Sequence, residues 1–184
     1  MFWDWLETVP ASDIHRYELL GGRIVMTPLA GWGHGFIESN LQLPIALHVR
    51  SRELGRTFGS STGYDLPTGD TLEPDFAFIS RERWGSGPKE RPDGKGFLSI
   101  VPDLVVEILS PSTATRDRTE KKESYERSGV DEYWIVDPRK RQVMVLVREG
   151  ETFGSPSMTS AGAVHSRLLP DLRISVEEIF ADLG

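Results

Sequence analysis

Residues 101–138 read VPDLVVEILSPSTATRDRTEKKESYERSGVDEYWIVDP, and this stretch decides the fold. An apolar run at 104–109 lies between Pro102 and Pro111, and a second apolar run follows at 133–136. Short apolar runs bounded by turn residues are typical of buried strands. The charged segment at 115–128 ends at Gly129, a common helix stop. The stretch therefore predicts a strand, a helix and a second strand parallel to the first.

Three acids lie in or beside predicted strands. Glu107 stands within the run at 104–109, Asp75 enters an apolar run at 72–79, and Glu18 lies on the first arm of a predicted hairpin. An unpaired carboxylate inside a buried strand costs on the order of several kcal/mol. Glu18 alone is interpreted as an exposed strand carboxylate, but the three acids together indicate a site.

The other segments predict a single α/β (α+β) domain over residues 1–184, with a central mixed β-sheet flanked by helices. Gly21 and Gly22 supply a hairpin turn, and Pro44 predicts a kink or a break in a helix. The predicted elements are a short helix or loop at 1–16, hairpin strands at 17–20 and 23–26, a helix at 33–52, strands at 56–64 and 72–79, an exposed mobile loop at 80–97, a strand at 142–147, a polar loop at 150–162, a strand at 164–168, and a helix at 176–181 behind a capping box.

The composition is that of an ordinary soluble globular protein, with 184 residues, 38% hydrophobic and 27% charged. No apolar run has the length of a membrane span, and the N-terminus lacks the basic region of a secretory signal. The absence of cysteine excludes disulfides and thiolate zinc sites and fits a cytoplasmic location. The formal net charge of -7 counts against a dedicated nucleic-acid binder, unless positive charge is concentrated on one face or a bound metal supplies it.

The acids and one lysine suit a divalent-cation site. Mg²⁺ prefers carboxylate and carbonyl oxygens and keeps several waters. Asp75 and Glu107 on neighbouring strands can hold such an ion, and the backbone carbonyl of Ile108 can add a third ligand. The ammonium of Lys121, on the following helix, can orient or deprotonate a water and stabilise charge developing on a phosphate.

Several blocks of the sequence resemble one known family. They are YELLGGRI at 17–24, EPD at 73–75, VVEILSPS at 105–112, Lys121 with Tyr125, GVDEYWIVDP at 129–138 and LPDL at 169–172. Together they look like the restriction-endonuclease family of the PD-(D/E)XK nuclease superfamily, over about residues 16–181. The resemblance implies a restriction-endonuclease-like core, in which helices flank a central mixed sheet of four or five strands and extra strands complete it.

By position, the resemblance makes Asp75 the first acid of the motif and Glu107 the second, with Glu18 as an additional N-terminal acid. The lysine that usually follows the second acid by two residues is absent, because Leu109 stands there. The resemblance places this lysine on the next helix instead. Lys121 fits that position because it precedes Tyr125 by four residues, and Lys122 is the adjacent alternative.

The resemblance implies a Mg²⁺-dependent endonuclease, with Mn²⁺ as a substitute, that hydrolyses DNA phosphodiester bonds through Asp75, Glu107, Lys121 and Glu18. Two alternatives stay open. One is an inactive relative that binds nucleic acid or a protein, with Lys121 paired to Glu107, and the other is a metal-dependent hydrolase of another substrate. The residues favour neither DNA over RNA nor duplex over single strand. Cutting both strands is easiest for two sites, so the function favours a homodimer.

Four further features have plain structural interpretations. His34 is interpreted as a capping or surface residue, with approach to the site as the alternative. Tyr125 is expected to face the core, and Trp84 to pack locally, although it could stack a base. The charged helix at 115–128 would, on pattern alone, be a solvated helix with ion pairs four residues apart.

Overall fold

A computed structural model of the chain describes residues 2–85, 87–88 and 96–181. In chain order the elements are α1 Phe2–Leu6, β1 Arg16–Leu20, β2 Arg23–Thr27, α2 Trp32–Ser51, β3 Gly55–Gly59, β4 Tyr64–Asp65, β5 Thr71–Leu72, β6 Phe76–Ser80, α3 Arg81–Trp84, β7 Leu104–Ile108, α4 Ala114–Arg118, α5 Glu120–Ser128, β8 Glu132–Asp137, β9 Gln142–Glu149, β10 Thr152–Phe153, β11 Ser157–Thr159, β12 Ala163–His165, β13 Arg173–Ser175 and α6 Val176–Ile179. None of these helices is both long and apolar enough to cross a bilayer.

The centre of the molecule is a mixed sheet with seven strands among the described residues. Its order is β10-β9-β8-β7-β6-β3, and β11 also pairs with β9. β7 and β8 are parallel and joined by α4 and α5, whereas the other pairs are antiparallel. The predicted strand–helix–strand unit is therefore confirmed, as is the mixed α/β class. Five of its strands, β3 and β6 to β9, form the predicted central sheet, and the extra strands β10 and β11 come from the segment at 150–162, which was predicted as a loop.

The alternation of side chains along β7 separates two apolar cores. Leu104, Val106 and Ile108 lie in the core that contains the inner face of α2. Val105 lies in the other core, together with Tyr125 of α5. Because successive strand residues point to opposite faces, Glu107 shares the face of Val105 and points toward α5.

Two predicted elements are each divided in the structure. The strand at 72–79 separates into β5 and β6 because Pro74 has no N–H to donate to a ladder. The helix at 115–128 separates into α4 and α5 at Thr119, whose φ of −123° and ψ of −89° are not helical. Gly129 ends α5 in the left-handed region at φ 90°, as predicted. By contrast, α2 continues through Pro44 without a break.

Other boundaries also differ from the sequence-based prediction. The strand predicted at 56–64 ends at Gly59, and the strand at 164–168 is the shorter β12, which pairs with the unpredicted β13. The predicted loop at 80–97 begins with the helix α3, and its residues 86 and 89–95 lie outside the described residues. The hairpin β1–β2 is confirmed, with Gly21 and Gly22 at φ 57° and 72°. Ser175 caps α6 by accepting from the Glu178 N–H.

Candidate active site

Two predicted acids lie next to each other on neighbouring strands. The antiparallel register of β6 and β7 pairs Phe76 with Val106, and one residue further it places Asp75 opposite Glu107. Directly opposed residues of such a pair carry their side chains on the same face, with Cβ atoms about 5 Å apart. Asp75 is 3% exposed and Glu107 is 4% exposed. The sheet therefore holds both carboxylates side by side at the edge of the core.

The buried lysine of α5 lies against these acids. Nζ of Lys121 is 2.5 Å from Oε1 of Glu107, 2.9 Å from Oε1 of Glu18 and 4.0 Å from Oδ1 of Asp117. Glu18 reaches the same point from β1 and also accepts a 2.8 Å hydrogen bond from the backbone N–H of Glu73. Glu18 of β1, Glu107 of β7 and Lys121 of α5 therefore meet in one buried cluster, with Asp75, which directly precedes β6, beside Glu107.

The neighbouring lysine faces elsewhere. Nζ of Lys122 lies 3.7 Å from Oε1 of Glu126 and 5.8 Å from the centre of the Phe153 ring, in a partly exposed position. The turn of the helix thus brings Lys121, and not Lys122, to the acids.

One side of α4 and α5 is buried against the site. Asp117, Lys121 and Tyr125 are all buried, so the interpretation of this segment as a solvated helix is wrong for this side. The ring of Tyr125 packs in the core, as predicted. Its hydroxyl also donates a 2.7 Å hydrogen bond to Oε1 of Glu107, which fixes the orientation of that carboxylate.

Asp75 has three further polar neighbours. Its Oδ1 lies 3.0 Å from Nε2 of His34 and 3.7 Å from Nη2 of Arg16, and its Oδ2 accepts a 2.7 Å bond from the N–H of Ile108. His34 lies in the first turn of α2, and this turn lies next to the start of β6. The interpretation of His34 as a surface or capping residue is wrong, and the alternative that it approaches the site is correct.

Sequence reasoning missed other members of the cluster. Glu73 directly precedes the Pro74–Asp75 pair, and that adjacency could have identified it. Arg16 and Arg116 approach from β1 and α4, and no spacing in the sequence connects them to the acids. Nη2 of Arg116 donates to Oγ1 of Thr27 at 2.8 Å, whereas its buried Nε has no hydrogen-bond partner among the residues that the structure describes.

A cavity of about 210 Å³ opens onto this cluster. Its titratable lining is Arg16, Glu18, His34, Glu73, Asp75, Glu107, Arg116, Asp117 and Lys121. A larger cavity of about 1220 Å³ also contacts Glu73 but is lined mainly by apolar and aromatic side chains. Trp84 lines that larger cavity and packs on Phe58, with ring centres 5.7 Å apart, as the local-packing interpretation predicted. The smaller cavity is the one that the predicted site residues line.

Burial and neighbouring charges shift the pKa values of the acids and of the lysine at the site. Burial raises the pKa of Glu107, and the Lys121 ammonium only partly opposes this shift. Burial alone would lower the pKa of Lys121, but the charges of Glu107, Glu18 and Asp117 raise it above its usual range. Burial also raises the pKa of Asp117. The ammonium therefore keeps its proton throughout the neutral range.

The pKa of Asp75 is lowered, whereas the pKa values of two nearby groups are raised. Burial would raise the pKa of Asp75, but the hydrogen bonds from His34 and Ile108 and the charge of His34 outweigh it, and the pKa is lowered. For His34, burial lowers the pKa, and the bond and charge of Asp75 produce a net increase. Burial and the nearby charge of Glu18 raise the pKa of Glu73 to about 7.

The donor set fits a magnesium ion held mainly by water and two carboxylates. Across the described residues, no three His, Asp or Glu side chains converge as a metal cage, but Mg²⁺ commonly uses one or two carboxylates and several waters. The strand register places Pro74 opposite Ile108. Pro74 directly precedes Asp75 and has no N–H, so it cannot donate a hydrogen bond to the Ile108 carbonyl. Asp75, Glu107 and this carbonyl are oxygen donors that suit Mg²⁺.

A mixed sheet that holds two adjacent acids beside a buried lysine defines a restriction-endonuclease-like fold. The chain belongs to the Uma2 family, described as "Putative restriction endonuclease", whose model matches residues 3–177. Its fold is similar to that of a crystal structure described as a putative nuclease belonging to DUF820 from Anabaena variabilis. The TM-score is 0.79 at 20% sequence identity, over 97% of this chain and 96% of that chain. No curated protein matches the sequence.

Proposed function

We propose that this protein is a Mg²⁺-dependent endonuclease that hydrolyses phosphodiester bonds in DNA. The observation that carries the proposal is the buried contact of Lys121 with Glu107 and Glu18, beside Asp75, at the cavity. Membership of a restriction-endonuclease family supports a nucleic-acid substrate. Buried charges are costly unless they are paired or bind a ligand, so a cluster this acidic favours a functional role over a purely structural one.

Asp75, Glu107 and the carbonyl of Ile108 would hold the Mg²⁺ ion, and Mn²⁺ would use the same oxygens. When bound, such an ion polarises a phosphoryl oxygen and lowers the pKa of a coordinated water. His34 and the Ile108 N–H fix the Asp75 carboxylate, and Tyr125 fixes that of Glu107. The oxygens are thus oriented by the chain itself before any ligand enters.

Lys121 would orient the attacking water and stabilise negative charge on the phosphate. The sequence left open whether this lysine orients or deprotonates the water. Its raised pKa favours orientation, because an ammonium that keeps its proton can donate hydrogen bonds but cannot accept a proton. Glu18 assists by holding the same ammonium through a 2.9 Å contact from β1.

Arg16 and Arg116 would bind the phosphate that enters the cavity. Both side chains line it. Guanidinium groups bind phosphate through charge-assisted hydrogen bonds. These two cations supply positive charge at the site of a chain whose net charge is -7.

One observation favours a second candidate, an inactive nuclease-fold module that binds nucleic acid or a protein. Lys121 pairs with Glu107 at 2.5 Å, and a well-bonded buried ion pair can be a purely structural feature. Metal binding distinguishes the two candidates, because a structural ion pair needs no ion between Asp75 and Glu107.

The test is a calorimetric titration of Mn²⁺ into wild type, Asp75→Asn and Glu107→Gln, with cleavage of supercoiled DNA in Mg²⁺ measured in parallel. Glu123→Gln is the matched control, because it removes one carboxylate charge from the exposed side of α5. We expect one saturable site in wild type and in the control, and none in the other two variants. Cleavage should fall more than about 100-fold in Asp75→Asn and Glu107→Gln.

Two results would contradict the proposal. Cleavage that persists at the wild-type rate in both Asp75→Asn and Glu107→Gln would remove these acids from the mechanism. Saturable binding that is absent from wild type even with non-cleavable DNA present would favour the inactive module.

A further inference from the structure

Helix α2 is apolar on two opposite sides. Its inner side, with Ile37, Leu41 and Ile45, is buried in the core. On its outer side four large apolar side chains are exposed: Trp32 at 77%, Phe36 at 37%, Leu43 at 62% and Leu47 at 58%. A surface helix normally has one apolar side, which faces the core, and polar residues on the opposite side. The outer side of α2 therefore lacks its covering surface in the isolated chain.

These four residues form one continuous stripe. At 100° per residue, positions 32, 36, 43 and 47 fall within roughly 60° of one another around the helix. The exposed positions of α2 between the two ends of this stripe carry no charge. They are Trp32, Gly35, Phe36, Ser39, Leu43 and Leu47. A single surface-exposed hydrophobic residue needs no explanation, but a continuous uncharged stripe marks an interaction surface.

The order of the side chains along the stripe identifies its partner. Trp32 and Leu47 lie at equal distances from the midpoint between Ser39 and Asn40, and so do Phe36 and Leu43. A surface that meets a copy of itself about a two-fold axis must be self-complementary in this way. We infer that this face binds a second copy of the chain, with the two α2 helices antiparallel. Trp32 then packs on Leu47 of the second copy, and Phe36 on Leu43.

The exposed area is consistent with the centre of a dimer interface. The stripe presents roughly 400 Å² on each copy, given that an aromatic side chain buries 150–250 Å². A stable interface takes about 800 Å² from each partner, with its apolar part at the centre and a polar rim. Leu29, which is 61% exposed and precedes α2 by three residues, extends the apolar surface at one end, and the exposed Arg50, three residues beyond Leu47, gives the other end a polar rim. The inference concerns the outer side of α2 and does not rest on nuclease activity.

The oligomeric state of the full chain provides the first test. Sedimentation equilibrium across the micromolar range should show a dimer for wild type and a monomer for Leu43→Glu and for Phe36→Lys. Met158→Glu is the control, because Met158 is 46% exposed on β11, away from the stripe. Circular dichroism should show the same helix content and an unchanged melting profile for the monomeric variants at low concentration.

A mixing experiment tests the antiparallel register itself. When Phe36→Lys and Leu43→Glu are mixed, the proposed two-fold arrangement gives one Lys–Glu contact and one native Phe–Leu contact. The mixture should therefore recover a heterodimer that neither variant forms alone. Because the chain has no cysteine, Ser39→Cys adds a single thiol next to the two-fold axis. Mild oxidation should crosslink this variant, and Met158→Cys should stay uncrosslinked.

Three results would overturn the inference. The first is a wild-type chain that stays monomeric over the whole concentration range. The second is a dimer that persists in both Leu43→Glu and Phe36→Lys. The third is a Ser39→Cys variant that crosslinks no faster than Met158→Cys. If wild type were monomeric, and Leu43→Glu and Phe36→Lys bound DNA less tightly than wild type, the stripe would be a nucleic-acid surface instead.

Discussion

Nζ of Lys121 lies 2.5 Å from Oε1 of Glu107, and these residues are 3% and 4% exposed. Truncating one member of a buried pair leaves the other charge uncompensated and costs about 3–5 kcal/mol. Glu18 shares the same ammonium at 2.9 Å. The contact that would serve catalysis thus also joins β1 and α5 to β7, so variants of this cluster need stability and activity measured separately.

Lys121→Met should abolish both functions of the ammonium. We expect cleavage to fall by about 10²–10³-fold and the free energy of unfolding to decrease by about 3 kcal/mol at neutral pH. Denaturant unfolding and plasmid cleavage measure the two effects. Lys122→Met is the matched control, since its partly exposed pair with Glu126 is worth less than about 1 kcal/mol. Loss of cleavage in Lys122→Met alone would show that the adjacent lysine is the functional one.

The His34–Asp75 contact should be visible in the titration of the imidazole. Asp75 raises the pKa of His34, against the effect of burial. A histidine whose pKa is raised by folding adds stability that is complete below its unfolded pKa and is lost as pH rises through the folded value. Asp75→Asn should therefore lower the pKa of His34, as measured by NMR of the ring protons. The loss of stability should be greatest between pH 3.8 and 6.5, the ordinary pKa values of the two groups, where Asp75 is ionised and His34 is protonated. His165, on β12, provides an internal comparison that should not change.

An unchanged His34 titration in Asp75→Asn would show that the 3.0 Å contact does not form in solution. The measurement needs a chelator, because a metal at Asp75 would itself change the charge next to the ring.

Ionisation of the Glu73 carboxyl should lower the free energy of unfolding at high pH. Its folded pKa is about 7 because of burial and Glu18, above the ordinary value of 4.5. The folded state therefore holds a proton that the unfolded state releases between these values. The resulting loss of stability grows from about pH 4.5 to pH 7 and then stays constant. Glu73→Gln should melt at a higher temperature than wild type at pH 8, by an amount equivalent to at most about 3 kcal/mol, and at the same temperature at pH 4.

Thermal melts in chelator at both pH values check this sign. A Glu73→Gln variant that is equally stable to wild type at pH 8 would show that Glu73 ionises freely. Glu82→Gln, an exposed substitution in α3, controls for the change in net charge.

The elements predicted correctly from the sequence are those marked by neighbouring residues, such as an apolar run or a glycine at a turn. The run at 104–109 and the Gly129 stop gave β7 and the end of α5, and the glycine pair gave the first hairpin. Asp75 and Glu107 were identifiable because acids in apolar strands are expensive. In the sequence, Lys121 was preferred to Lys122 only because it precedes Tyr125 by four residues. The burial of Lys121 and Tyr125 on one side of α5 supports the choice of Lys121.

The rest depends on contacts between distant segments, which spacing does not encode. His34 reaches Asp75 across 41 residues, and Arg116 reaches Thr27 across 89. Glu132 lies in the distinctive EYWIVDP block of the sequence, yet its role is structural. It is fully buried and accepts hydrogen bonds from Nε1 of Trp134 and the N–H of Arg167. A motif position therefore does not by itself distinguish a site residue from one that supports the fold.

Arg116 should contribute to substrate binding more than its exposure suggests. Its side chain lines the cavity beside the acids, its Nη2 is held by Thr27, and its Nε has no hydrogen-bond partner in the described part of the chain. A hydrogen bond to a charged group is worth about 1.5–3 kcal/mol, so Arg116→Met should weaken DNA binding by roughly 10-fold or more. Fluorescence anisotropy in Ca²⁺, used as a non-catalytic substitute ion, measures the affinity. The slope of log K against log salt should also decrease by about 1.

Arg127→Met is the matched control for this measurement. It removes the same charge from α5, where Arg127 is exposed and forms only a 3.9 Å contact with Glu123. We expect its affinity for DNA to stay within about twofold of wild type, with an unchanged salt slope. Equal losses in Arg116→Met and Arg127→Met would mean that net charge alone determines binding. A loss confined to Arg116→Met would instead support a phosphate contact inside the cavity, next to Asp75 and Glu107.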